Sequence, residues 1–450
     1  MIQLINPYTN NTYQKIDLEN ISATRSKIES AEKAFHSWRE THFDERAKAL
    51  TNIADQLVKD KDHLADTMTR EMGKPISQAK AEVEKCVWVC NFYAENGAKF
   101  LADKTISTDA SNSYVTYQPY GVILAIMPWN YPLWQVFRFL APAIMCGNIA
   151  LLKHAPNTFK SAKNIASVLQ KAGLPKNNFQ NLFVEVDQVE EVIAHPVVKA
   201  VTFTGSTTAG SKVAEQAGKY LKKSVLELGG SNALVVFKDA NLDQTAKTCI
   251  QARFQNNGQS CIAGKRLFVH NDIDEPLTEK LIDQVKQLKI GDPLDEETYI
   301  SVMARKDLAD DLQIQLDDAL QKGAQLLYGG NQDGTYFEPT IIINCNDSMK
   351  VMQEETFGPL LAIETFSNEN EVISKVNASN YALGCSIFTE DDSIIDKMIQ
   401  KLREPAVFVN ELVKSDPRLP FGGYKNSGYG RELAKEGIRE FSLIKTIYKK

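Results

Sequence analysis

The sequence predicts an α/β fold built on a doubly wound parallel sheet. Two observations carry that prediction. From Val122 onward, short apolar runs alternate with amphipathic helical segments, the pattern of strands joined through crossover helices. The 450 residues also exceed what one hydrophobic core supports, so two or three domains are expected.

Ahead of the alternation, the first hundred residues read as helical. Ala79 to Leu101 places Val83, Val87, Cys90, Ala94 and Ala98 at helical spacing, which predicts a long amphipathic helix. Val122 to Met127 reads as a buried strand halted by Pro128, Leu133 to Met145 as a helix, and Asn148 to Lys153 as the next strand. Asn157 to Ala172 is a helix with Ile165, Val168, Leu169 and Ala172 on one face and Gly173 and Pro175 as stop signals. Asn181 to Glu185 and Ala200 to Thr204 are predicted strands, and Thr207 to Gly218 a helix. A second α/β block starts at Ser224, with candidate strands at Val235–Phe237, Arg266–His270 and Ala406–Asn410 and a helix at Leu277–Leu288. Ser113–Gln118 and Leu443–Tyr448 alternate and lie at block edges. They fit edge strands within a domain or strands that pair with another subunit, and the second reading is favoured.

The apolar fraction of 43% and net charge of −6 describe a globular protein without the basic footprint of a nucleic-acid binder. Seven cysteines form no repeated C-x-x-C pattern, which speaks against a disulfide framework and against a metal site and fits a reducing cytoplasm. No signal peptide is apparent at Met1–Pro7, and no apolar run approaches membrane-spanning length.

Two segments carry the chemistry. Asn256-Asn257-Gly258-Gln259-Ser260 leads into Cys261, and Glu227 opens Glu227-Leu228-Gly229-Gly230. A thiol can add to a carbonyl, and a carboxylate can activate the water that releases the product. A lone Cys more often packs than reacts, so the argument needs further motifs. Pro128-Trp129-Asn130-Tyr131-Pro132 holds an Asn amide between two prolines; such a donor aimed at an oxyanion lowers a barrier by about 2.7–4 kcal/mol. Lys153-His154-Ala155-Pro156 follows the next strand, where open α/β sheets bind ligands. Thr204-Gly205-Ser206 joins a strand to a helix N-terminus that suits a pyrophosphate, although a P-loop is excluded. Glu354-Glu355-Thr356-Phe357-Gly358-Pro359 offers a carboxylate and an aromatic edge, and Pro420 to Gly428 forms a Gly-rich loop.

Each signal alone has a bland alternative in a turn, a cap or a solvated charge. Their joint order closely resembles the NAD(P)-dependent aldehyde dehydrogenase superfamily from about Asn6 to the C-terminus. The resemblance implies Cys261 as nucleophile, Asn130 with the Cys261 backbone N–H as oxyanion hole, and Glu227 as the base that hydrolyses a thioester. It implies ribose contacts from Lys153 and Glu355, with Phe357 beside the latter, pyrophosphate contacts at Gly205 and Ser206, and a cleft wall at Ile126 and Trp129. It further implies a dinucleotide-binding domain at 1–100 and 120–228, a catalytic domain at 229–430, and a small β oligomerisation arm at 101–119 and 440–450. Homodimers or homotetramers are expected. Members preferring NAD often carry Glu where this chain has Pro156, so NAD and NADP both remain open as cofactors.

Within the superfamily the chain is most similar to short bacterial succinate-semialdehyde dehydrogenases. Arg138, eight residues after Asn130, matches their carboxylate-binding Arg. A second Arg common in that group is Gln255 here, leaving Ser415 and Gln255 to assist. Glutarate semialdehyde or a neutral aldehyde is the alternative substrate. A CoA-acylating enzyme is disfavoured by Glu227, and a catalytically silent protein by the joint presence of Cys261, Glu227 and Asn130.

Overall fold

The computed structural model describes all 450 residues. The chain opens with an antiparallel hairpin of Ile2–Ile5 and Thr12–Ile16, so the first hundred residues are not wholly helical. Four helices follow: Ile21–Trp38, Phe43–Lys59, Lys61–Met72 and Ile76–Phe100. The last buries Cys86, Val89 and Tyr93 as well as the expected Val83 and Cys90. It needs this wider face because it packs against several neighbours, Phe43–Lys59 and Trp134–Cys146 among them.

The first sheet has six strands in the order Gly428–Tyr429, Lys223–Glu227, Val198–Thr204, Val122–Met127, Ile149–His154, Phe179–Asn181. All pairs are parallel except the antiparallel Gly428–Tyr429 edge. From Val122–Met127 the chain builds outward to one side through Ile149–His154, then returns to the other side with Val198–Thr204. That reversal opens a crevice at the carboxyl ends of the central strands. The strand expected at 181–185 lies at Phe179–Asn181 instead. Glu185 already caps the next 3-10 turn, so the chain has left the sheet by then.

The second sheet has seven strands in the order Gln325–Tyr328, Thr340–Ile343, Leu360–Phe366, Gly264–His270, Asn232–Val236, Cys385–Phe388, Val407–Val409. Only Gln325–Tyr328 runs antiparallel. Strand Asn232–Val236 shows why both faces are covered. Ala233 and Val235 enter one apolar core, whereas Leu234 and Val236 enter another on the opposite face, as period-two side chains must.

Asn112–Pro119 pairs with Ser442–Lys449 in unbroken antiparallel register from Ser442 opposite Pro119 to Lys449 opposite Asn112, and Lys104–Thr105 adds a third strand. The two alternating segments therefore satisfy each other within one chain, which corrects the expectation that each pairs with another subunit. Leu443, Ile444 and Tyr448 remain exposed on this ribbon. No helix is long and apolar enough to cross a membrane.

Candidate active site

Helix Leu242–Phe254 ends in a turn that only a few residue types tolerate. Asn256 and Asn257 both adopt left-handed backbone (φ 58° and 53°), and Gly258 follows at φ 71°. Asn accepts this region better than most residues. A Cβ on Gly258 would stand 2.4 Å from the Gly358 carbonyl oxygen. Side chains lock the turn from both sides. Asn257 Nδ2 donates to the Gly73 and Val302 carbonyls at 3.1 and 2.9 Å, and its Oδ1 accepts the Ser301 N–H at 2.8 Å. Buried Arg253 donates to the Leu360 and Thr356 carbonyls at 2.6 and 3.1 Å. Cys261 thus emerges from a fixed loop just before strand Gly264–His270. It is half-buried, whereas the other six cysteines are buried.

Asn130 reaches the same loop from the first sheet. It is buried and its Nδ2 donates to the Gln259 carbonyl at 3.1 Å, while its own carbonyl accepts from Asn256 Nδ2 at 2.9 Å. One amide hydrogen of Asn130 is left for another acceptor.

All eight cofactor positions read from the sequence line one cleft of about 430 Å³. Ile126, Trp129, Lys153 and Pro156 stand at or just beyond the carboxyl ends of neighbouring strands. Gly205 and Ser206 lead into helix Thr207–Lys219, whose cap is the Ser206 side chain. From the second sheet's side, Phe357 meets Trp129 edge-to-face at 5.6 Å. Glu355 accepts from Lys265 Nζ at 2.7 Å and from the Gly230 N–H at 3.0 Å. A Cβ on Gly229 would lie 2.5 Å from Glu355 Oε2, so the glycine is needed for that approach. Buried Lys153 has no acceptor in the protein, and burial lowers its pKa against the pull of Glu185. A lone buried ammonium, a helix N-terminus at Ser206 and a long cleft at the strand switch point together fit a nicotinamide dinucleotide.

A second cavity, of about 180 Å³, lies on the other side of the thiol and includes Arg138, Gln255 and Ser415 in its wall. Cys261 and Gln135 line both cavities. Arg138 is fully buried, forms an ion pair with Glu432, and lies 4.6 Å from the Phe421 ring. Trp134 Nε1 donates to Ser415 Oγ at 3.1 Å.

Glu227 ends strand Lys223–Glu227 and lines neither cavity. Its carboxylate oxygens have no hydrogen-bond partner. Burial raises its pKa well above the carboxylate range; Glu432 adds repulsion, and Arg138 and Arg431 oppose the rise. Burial likewise pushes Cys261 up to about 11, with Lys265 and Arg138 pulling it down and Glu355 and Glu227 pushing it up. At neutral pH the resting Cys261 is therefore a thiol, and burial favours the neutral form of Glu227.

Glu432, Lys265, Arg305 and Lys85 also belong to these walls or their ion pairs, and no sequence motif marked them. Arg305 lies 5.8 Å from the Trp129 ring.

The sequence signature of the aldehyde dehydrogenase family matches residues 1–447, and the chain belongs to that family. It is 43% identical over 450 residues to a probable succinate-semialdehyde dehydrogenase [NADP(+)] of Synechocystis, covering 99% of each chain. It is 40% identical to the succinate semialdehyde dehydrogenase [NAD(P)+] of Escherichia coli, covering 99% of this chain and 97% of the relative. Its fold superposes on succinic semialdehyde dehydrogenase from Streptococcus pyogenes in complex with NADP+, with a TM-score of 0.97, 37% identity and coverage of 100% and 99%. The expected class, an enzyme that oxidises an aldehyde with a nicotinamide cofactor, therefore stands, as does the aldehyde dehydrogenase fold.

Proposed function

We propose that the chain oxidises succinate semialdehyde to succinate through a covalent adduct on Cys261, with NADP or NAD as acceptor. The observation that carries the reading is the placement of Cys261 where two cavities meet. One fits a dinucleotide. The other is small and includes Arg138, Gln255 and Ser415 in its wall.

Cys261 Sγ, which is only half-buried, gives its proton to solvent and adds to the aldehyde carbon. The spare hydrogen of Asn130 Nδ2 and the Cys261 backbone N–H hold the new oxyanion. A nicotinamide dinucleotide held along Lys153, Gly205, Ser206 and Glu355 would supply the acceptor for the hydride that this tetrahedral carbon gives up. A thioester on Cys261 remains. Glu227, as carboxylate, takes a proton from water, which attacks the thioester and releases the acid and the thiolate. Glu227 lines neither cavity at rest, so it must turn toward Cys261 for this step.

Several features refine the reading. Lys153 faces the cleft without an acid beside it in position 156, which accommodates a 2′-phosphate, and the relatives named above are NADP(+) or NAD(P)+ enzymes. Glu227 gives hydrolysis rather than CoA transfer. The exposed apolar ribbon at Ser442–Lys449 supports self-association.

The test is steady-state NAD(P)H formation without CoA, using succinate semialdehyde, glutarate semialdehyde and butanal with each cofactor. A kcat/KM maximum at succinate semialdehyde is expected. Equal values for the semialdehyde and butanal would discard the substrate assignment and keep the Cys261 chemistry.

A further inference from the structure

Three segments of the site converge on one buried cation, Lys265. Its Nζ donates to the carbonyls of Gly230 and Cys261, the latter at 3.0 Å, and to Glu355 Oε1 at 2.7 Å. Three acceptors need three hydrogens. A neutral amine has two, so the group is an ammonium. The Phe357 ring stands 5.7 Å from it.

The strand is irregular at this residue. Gly264 lies opposite Asn232, but Arg266 lies opposite Ala233. Lys265 is therefore the extra residue of a bulge, and on the other side Arg266 also opens the pairing, opposite Ala362. A bulge beside a site re-aims a side chain. The partner loop makes room for the contact: a Cβ on Gly230 would stand 2.5 Å from the Cys261 carbonyl oxygen. Gly230 also donates its N–H to Glu355 Oε1 at 3.0 Å. Both protein donors take the same carboxylate oxygen, so Oε2 is left for a ligand in the cleft that Glu355 lines.

We propose that Lys265 is a positioning residue with two effects: it holds Glu355 with one carboxylate oxygen turned to the cofactor, and it keeps a positive charge against the Cys261 main chain, where it favours the thiolate. The first effect rests on the cofactor reading above, and the second does not. Burial raises the thiol pKa. Of the charges that face it, Lys265 and then Arg138 lower it, and Glu355 and Glu227 raise it. Lys265 and Glu355 thus act together on the cofactor and against each other on the thiol.

That opposition in sign is the test. Iodoacetamide labelling of Cys261 in the whole protein, without cofactor at about pH 7, reads the thiolate, because the other six cysteines are buried. Peptide masses confirm the labelled residue. Quenching of protein fluorescence by NADP reads cofactor affinity. Lys265→Met should slow the labelling about three- to tenfold, the effect of about one unit in thiol pKa offset by the greater nucleophilicity of a more basic thiolate. Glu355→Gln should speed it by a similar factor. Both variants should raise the NADP Kd, by about tenfold for the loss of a charge-assisted contact. Equal labelling of Lys265→Met and wild type, shifts of the same sign in the two variants, or an unchanged NADP Kd in Lys265→Met would each overturn the proposal. If Lys265→Met does not fold, judged by its thermal unfolding, Lys265→Gln takes its place. Glu355→Gln still decides the sign by itself, since slower or equal labelling there contradicts the opposition. A wild-type protein that labels at Cys261 and binds NADP but oxidises no aldehyde would sink the oxidation reading alone and leave Lys265 in its role.

Discussion

The two cavities that meet at Cys261 are made in different ways. The dinucleotide cleft is made mostly of turns at the carboxyl ends of parallel strands, with Glu355 and Phe357 closing it from the second sheet. The substrate cavity is made mostly of side chains from helices Ile76–Phe100 and Trp134–Cys146, with loops around Cys261 and Ser415. Backbone geometry determines the first, and side-chain charge the second. The Cys261 thiol belongs to neither class. It sits before strand Gly264–His270, at an amino end of the second sheet, facing the carboxyl ends of the first. One fold can therefore keep its cofactor chemistry while helix side chains set the substrate.

The comparison breaks if the thiol does not serve both cavities. Cys261→Ala should lower turnover on the order of 10⁴-fold or more with every aldehyde and either cofactor, as loss of a nucleophile does. Steady-state NAD(P)H formation checks it. A substantial rate with butanal alone would mean that the cavities do not share one nucleophile.

Arg138 separates structure from recognition. Removing it leaves Glu432 buried and unpaired beside Glu227. Arg138→Met should therefore destabilise the fold by about 3–5 kcal/mol, measured by urea unfolding, and the double variant with Glu432→Gln should recover much of the loss. A stable Arg138→Met whose only defect is a raised KM for succinate semialdehyde would make Arg138 a recognition group rather than a structural one.

The difference between the cavities also explains what could be read from the sequence. Gly205, Ser206, Asn130 and the Asn256–Cys261 turn were legible because turns demand particular residues: left-handed backbone at Asn256 and Asn257, and no room for a Cβ at Gly258. Lys85 was not. A lysine on an amphipathic helix looks solvated, and only the fold reveals that nearby Glu82 and Asp416 are already paired. Glu432 was hidden for the same reason, lying 294 positions from Arg138, to which it is bound. The segments at 113–118 and 443–448 displayed their alternation but not their partner, because alternation specifies faces and leaves the pairing strand open.

In the cleft, Pro156 tests backbone against charge. Pro156→Glu places an acid near the Lys153 end, where it repels a 2′-phosphate and accepts from a 2′-hydroxyl. The NADP-to-NAD ratio of kcat/KM should fall about tenfold, in line with about 1.4 kcal/mol of differential binding. An unchanged ratio would place the adenosine ribose away from Pro156.

The smallest effect is a pH dependence that only the substrate cavity should show. Burial holds Lys85 down at about 8, with Arg138 adding to the lowering and Cys86 and Glu82 on its own helix and Asp416 on the facing loop opposing it. Between pH 7 and 9 its cation is lost, so affinity for a carboxylate falls as pH rises. Because kcat/KM reports the free enzyme, the ratio of succinate semialdehyde to butanal should drop about tenfold across that range. Ionisation of Cys261, pushed up to about 11, raises both rates with pH and cancels in the ratio. The ratio should be flat in Lys85→Met. A ratio that still falls in that variant would assign the titration to another group and separate the charge of the pocket from its lysine.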